Sequence, residues 1–284
     1  MCVRRFAKQI ECCKRSEAIP SSNGRLLTCT ICLANRAGAS VVGFRVRASQ
    51  PSSQWRSLTW EEDTYIWLIL ALIFASLEAL AVSKNLPGLE YFAKPAVMVC
   101  LFTGLYASTG LQGNTLWFGL GIVFSLAGDM LLMVSLDRMF LFGLVAFLLT
   151  HLSYILGFRE ELTNASAWSL VLMIIILINS LRLIRRILRS IRAKGQNALV
   201  TPVIVYGLVI SLMLYTAMST IYHPAWKTNA SLLVSLGAFS FYISDLILAW
   251  NKFVAPIKNA RIFNIVTYYL GQIGLIAGVI SQFG

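Results

Sequence analysis

Charge is scarce in this chain: only 13% of its 284 residues are Asp, Glu, Lys or Arg. A soluble domain carries about 25%, so the shortfall excludes an ordinary soluble globular enzyme. Histidine occurs twice, which leaves no multi-histidine metal site. Beyond residue 57 the only cysteine is Cys100. That part of the chain therefore holds no disulfide framework and no thiolate cluster. There is no G-x-S-x-G elbow, no H-E-x-x-H and no Walker loop. Hydrolytic chemistry, where there is any, must rest on carboxylates, Lys, Tyr and a single membrane histidine.

What is plentiful is apolar. Hydrophobic residues make up 57% of the chain, and mean hydropathy is +0.72. These values indicate a polytopic membrane protein. The formal charge of +12 then calls for no nucleic-acid partner. Cytoplasmic loops collect Lys and Arg, and anionic leaflets attract them.

Two regions separate by composition. Residues 1–57 are basic and rich in Ser and Arg, with Glu11 and Glu17 as the only acids. Such a segment reads as an organellar transit peptide or a disordered tail. Cys29-Thr-Ile-Cys32 has C-x-x-C form, and Cys2, Cys12 and Cys13 lie upstream. No second pair follows to complete a four-ligand zinc site. Residues 58–284 form the membrane domain.

Apolar runs there cover about 65–82, 94–109, 115–134, 139–158, 166–184, 198–220, 230–250 and 261–282. Each approaches the ~20 residues that cross a bilayer core as a helix. The expected fold is all-α with eight transmembrane helices. Most basic residues fall in the connections after the first, third, fifth and seventh runs, including Arg182, Arg185, Arg186, Arg189 and Arg192. The positive-inside rule makes that face cytoplasmic or its organellar equivalent. The basic extension lies on the opposite face and argues the other way, unless it is removed. The expected location is an integral membrane, of the endoplasmic reticulum or of an organelle if the extension is a transit peptide.

The third and seventh runs resemble each other. Gly121 and Gly237 each precede an aspartate by eight residues, and Gly128-Asp129 matches Ser244-Asp245. Lys94-Pro95 and Thr201-Pro202 open the second and sixth runs. The pattern suggests a 4+4 parallel duplication.

Ionisable residues inside a membrane are costly and face the bundle interior. Here they are Glu78, Asp129, His151 and Asp245, with Lys94 at the start of the second run. Neutral polar companions are Asn179, Tyr154, Tyr206, Tyr268, Tyr269 and Gln272. Glu78, Asp129, Asn179 and Asp245 end their runs near the basic face. Lys94, Tyr206, Tyr268 and Gln272 begin theirs there. A common depth points to a shared pocket open to that face; helix–helix glue is the alternative for each residue. His151 and Tyr154 lie deeper, on one helical face at i,i+3. Two acids in one cavity, in different surroundings, can divide into proton donor and anion.

Lys94-Pro95, Gly128-Asp129 in F-S-L-A-G-D, His151-x-x-Tyr154, Ser244-Asp245 in G-A-F-S-F-Y-I-S-D, and Tyr268-Tyr269-x-x-Gln272 resemble the YhhN/TMEM86 family. The likeness runs from about residue 65 to the C-terminus. It implies an integral-membrane, metal-independent lysoplasmalogenase without cofactor. Such an enzyme hydrolyses the vinyl-ether bond of a lysophospholipid to a fatty aldehyde and a glycerophospho-base. The expected catalytic pair is Asp129 and Asp245. Lys94, Tyr268 and Gln272 would orient the pair or the phosphate, and His151 and Tyr154 would shape a tunnel for the alkenyl chain. Tyr269, Glu78, Asn179 and Tyr206 complete the expected site. A lipid transporter or flippase and a non-catalytic scaffold are the competing classes.

Overall fold

The structure is a computed structural model that describes residues 29–33, 40–44, 53–134, 138–159 and 166–284, with side chains from Tyr65 onward. The chain divides into two units, Met1–Leu58 and Thr59–Gly284. In the first, strands β1 (Cys29–Leu33) and β2 (Ser40–Phe44) pair antiparallel, with Cys29 opposite Phe44. No strand was expected there. The β-branched Thr30, Ile31, Val41 and Val42 supply the propensity. The C-x-x-C motif falls on β1, while Cys2, Cys12 and Cys13 lie outside the described residues, as does most of the stretch read as a transit peptide or tail.

The second unit is helical and carries eight helices long and apolar enough to cross a membrane. In chain order they are α1 (Ser53–Ser83), α2 (Pro87–Thr109), α3 (Thr115–Val134), α4 (Phe140–Gly157), α5 (Ala167–Ala193), α6 (Val200–Ser219), α7 (Thr228–Ala249) and α8 (Ala260–Phe283). A π-helical turn, Trp250–Val254, prolongs α7. The all-α, eight-span expectation holds. Outward faces are apolar: Leu170, Val171, Ile174, Ile175 and Ile178 of α5 are all exposed, as a helix facing lipid requires.

One boundary differs from the sequence reading. α2 starts at Pro87, not at residue 94, because a proline at the first helical position loses no bond that a helix needs. Pro95 sits inside α2 rather than opening it. The Arg-rich stretch continues α5 as helix to Ala193.

The bundle is built from tightly packed hairpins. In α3–α4, a Cβ on Gly128 would lie 2.8 Å from the Phe147 ring, so only glycine lets that ring sit against α3 beside Asp129. In α7–α8 the approach is backbone to backbone. A Cβ on Gly271 would lie 2.7 Å from the Phe241 nitrogen, and one on Gly274 would lie 3.0 Å from the Gly237 Cα. Small residues drive such contacts in membranes, where apolar burial gives helices no advantage over lipid. The seam sets the height and rotation of Tyr268 and Gln272, which flank Gly271 on α8.

Gly271→Leu is expected to lower stability by about 1–3 kcal/mol through overpacking. Leu270→Ala, on the exposed side of the same turn, is expected to change it little. Thermal unfolding of the two detergent-solubilised variants, read side by side, checks this.

Candidate active site

A cavity of about 580 Å³ opens among α2, α3, α7 and α8, and Lys94, Asp129, Asp245 and Tyr268 line it. Both predicted catalytic aspartates therefore face one chamber. Each is held by a separate set of partners.

Asp129 is almost fully buried. Its Oδ2 accepts a hydrogen bond from Tyr268 Oη at 2.7 Å, and its Oδ1 lies 3.6 Å from Lys94 Nζ. The same ammonium lies 3.7 Å from Glu78 Oε1. Glu78 has no exposed surface and accepts a hydrogen bond from Tyr269 Oη. One lysine thus stands between two carboxyl groups, each also held by a tyrosine of α8. Below them runs a neutral relay. Tyr154 Oη donates to Gln272 Oε1 at 2.6 Å, and Gln272 Nε2 donates to Ser125 Oγ at 2.6 Å. Ser125 in turn lies 3.3 Å from Tyr268 Oη.

Asp245 Oδ2 accepts a hydrogen bond from Tyr206 Oη and lies 3.1 Å from His151 Nε2. His151 is fully buried, against the Phe241 ring at 4.8 Å, and its Nδ1 has no hydrogen-bond partner. The proton therefore belongs on Nε2, facing the carboxylate. The backbone before Asp245 is pinned from α8. Asn264 Nδ2 donates to Ser244 O at 2.8 Å, and Ser244 Oγ donates back to Asn264 O at 3.0 Å.

Asp245 also lines a second, apolar groove between α4, α5, α6 and α7, with Leu132, Phe147 and Leu248 common to both spaces. At about 80 Å³ it is narrow.

One expectation needs correction. Asn179 is exposed and donates its Nδ2 to Ile175 O of its own helix, so it does not join the cluster. Its neighbour Ser180 is the buried one, bonded to Tyr242 and Ser211. Depth along a helix gives height, not rotation. His151 and Tyr154 line neither the polar cavity nor the apolar groove: His151 meets Asp245, which lines both, and Tyr154 donates to Gln272, which lines neither. Lys94, Tyr206, Tyr268, Tyr269, Gln272 and Glu78 all lie in the two networks.

The sequence reading passed over four residues. Ser125 and Asn264 stand four positions before Asp129 and Tyr268, a spacing that shares a helix face and could have revealed them. Glu90 stands four before Lys94 and meets Arg261 across the cavity mouth. Among the described residues no group of three His, Cys, Asp or Glu side chains could hold a metal ion.

Comparison with known proteins gives a consistent result. The YhhN family model matches residues 89–279. The chain is 29% identical over 188 residues to a mouse protein named lysoplasmalogenase TMEM86B, covering 66% of this chain and 74% of that one. It is 27% identical to the human protein of that name, covering 65% and 74%. Against bovine lysoplasmalogenase TMEM86A the identity is 27%, covering 54% and 60%. No solved structure matches it.

Lys94→Met leaves Glu78 and Asp129 buried without a counter-charge. It is expected to cost about 3–5 kcal/mol, with part of the loss recovered in Lys94→Met/Glu78→Gln. Thermal unfolding of the two variants in one detergent checks the order.

Proposed function

The chain belongs to the YhhN family, and from that premise we propose that it hydrolyses the vinyl-ether bond of a lysoplasmalogen, with Asp129 and Asp245 as the reacting pair. The observation that carries this is the presence of both carboxyl groups on one cavity, each with its own partners.

A vinyl ether is an electron-rich alkene. Proton transfer to its outer carbon leaves an oxocarbenium ion at the carbon bonded to oxygen. Water adds there, the hemiacetal forms, and its collapse releases the fatty aldehyde and returns a hydroxyl to the glycerol. The sequence needs one acid, and one anion to stabilise the cation and guide the water, as paired carboxyls do in glycoside hydrolysis. Asp129 is paired with the Lys94 ammonium. Asp245 instead meets Tyr206 and His151, which gives it surroundings unlike those of Asp129, as a division into acid and anion requires. Its place between the polar cavity and the apolar groove suits a substrate with its head group in the first and the start of its chain in the second. Tyr268 holds Asp129 in position, and Ser125 and Gln272 hold Tyr268.

The region beyond the acids favours a hydrolase over a transporter. Aromatic rings occupy it: buried Phe118 stacks on buried Tyr154 at 5.8 Å and meets buried Phe158 at 4.8 Å, and Phe158 meets the partly buried Trp226 at 5.9 Å. A polar path across the membrane would have to break this stack.

Purified protein given lysoplasmenylcholine or lysoplasmenylethanolamine is expected to release aldehyde, and the saturated alkyl-ether analogue to release none. Run in deuterated water, the reaction is expected to place one deuterium on the carbon next to the aldehyde. Asp129→Asn and Asp245→Asn are each expected to slow release by about 100-fold or more. Absence of aldehyde from every vinyl-ether head-group variant would end the assignment, and full activity in either mutant would end the site.

A further inference from the structure

At the mouth of the cavity, on the basic face, Arg261 of α8 meets Glu90 of α2. Its Nη2 donates to both carboxylate oxygens, to Oε2 at 2.6 Å. The pair is asymmetric. The Arg261 side chain is 60% exposed, whereas that of Glu90 is 10% exposed. A single guanidinium nitrogen makes both bonds. Among the described residues, Nη1 and Nε have no protein acceptor. A guanidinium carries five donors in a planar fork suited to two oxygens at once. With the side chain largely exposed, the rest of that fork is open to a ligand.

The pair is aligned with the chemistry below it. Glu90 and Lys94 are i,i+4 on α2, about one turn apart. Arg261 and Tyr268 are separated by seven residues of α8, roughly 10 Å at 1.5 Å per residue. An extended glycerol–phosphate unit covers most of that distance, and an arginine side chain is long enough to span the rest. A lipid with its vinyl ether beside the aspartates would thus bring its phosphate and terminal amine to Arg261 and Glu90.

We propose that Arg261 and Glu90, paired across the cavity mouth, form a head-group site for a zwitterionic lysolipid. The free edge of the guanidinium takes the phosphate, and the Glu90 carboxylate takes the ammonium of choline or ethanolamine. Each charge of the ligand replaces part of the resting ion pair, so neither side chain is left uncompensated. An anionic head group lacking the amine satisfies Arg261 but places its charge against Glu90. The site is therefore a specificity determinant and takes no part in bond cleavage. It rests on the hydrolase reading, because that reading sets which end of the lipid lies deepest.

The test uses binding of a non-hydrolysable saturated-ether lysolipid to full-length protein in nanodiscs, with a phosphocholine or a phosphate-monoester head. Glu90→Gln is expected to weaken phosphocholine-lipid binding by about tenfold, to leave the phosphate-monoester lipid unweakened, and so to shift the ratio between them. Arg261→Gln is expected to weaken both. Soluble glycerophosphocholine is expected to compete with the phosphocholine analogue in wild type and not in Arg261→Gln. An unchanged ratio in Glu90→Gln, read on protein with wild-type thermal stability, would overturn the proposal. So would undiminished binding of both lipids to Arg261→Gln. Failure of aldehyde release alone, with the ratio shift intact, would remove the hydrolase reading and leave the head-group site.

Discussion

The arrangement depends on one lysine ammonium held between two buried carboxyl groups. A bilayer core has no water to solvate Glu78 and Asp129, and an uncompensated charge there costs several kcal/mol. Lys94 meets both, and tyrosines from α8 supply the remaining bonds. This ties α1, α2, α3 and α8 together at one level. These four helices cannot separate without stranding a charge, and three of them, α2, α3 and α8, also wall the cavity.

The second acid is held differently, and the two arrangements mirror each other. Asp129 on α3 is met from α2 by Lys94 and from α8 by Tyr268. Asp245 on α7 is met from α6 by Tyr206 and from α4 by His151. If α1–α4 and α5–α8 are equivalent halves, each acid takes one partner from the preceding helix of its own half. The other comes from the last helix of the opposite half. A 4+4 duplication has this property, and the glycine-seated hairpins α3–α4 and α7–α8 are its equivalent seams. The two surroundings differ in one respect: an ammonium stands beside Asp129 where a phenol stands beside Asp245.

The eight helices were legible because run length against bilayer thickness is a coarse quantity that apolar composition reports well. Their ends were not: Lys94-Pro95 reads as a start only if proline is assumed to exclude helix, and the structure carries Pro95 inside α2. That error hid Glu90 by leaving it in a loop, and with it the head-group pair. The acids were legible because lipid makes them expensive. Asn179 was misplaced because a shared depth does not fix which way a side chain points, and on α5 the inward residue is Ser180. The roles of His151 and Tyr154 depended on partners in distant helices, which i,i+3 spacing cannot name.

We propose that Asp129 and Asp245 act as one unit on one substrate. A double-mutant cycle on aldehyde release tests it: wild type, Asp129→Asn, Asp245→Asn and both together, at equal folded protein. The claim predicts that the double variant is about as slow as the slower single variant, because losing either carboxyl already removes the pair. Losses that multiply, as for independent sites, would contradict it.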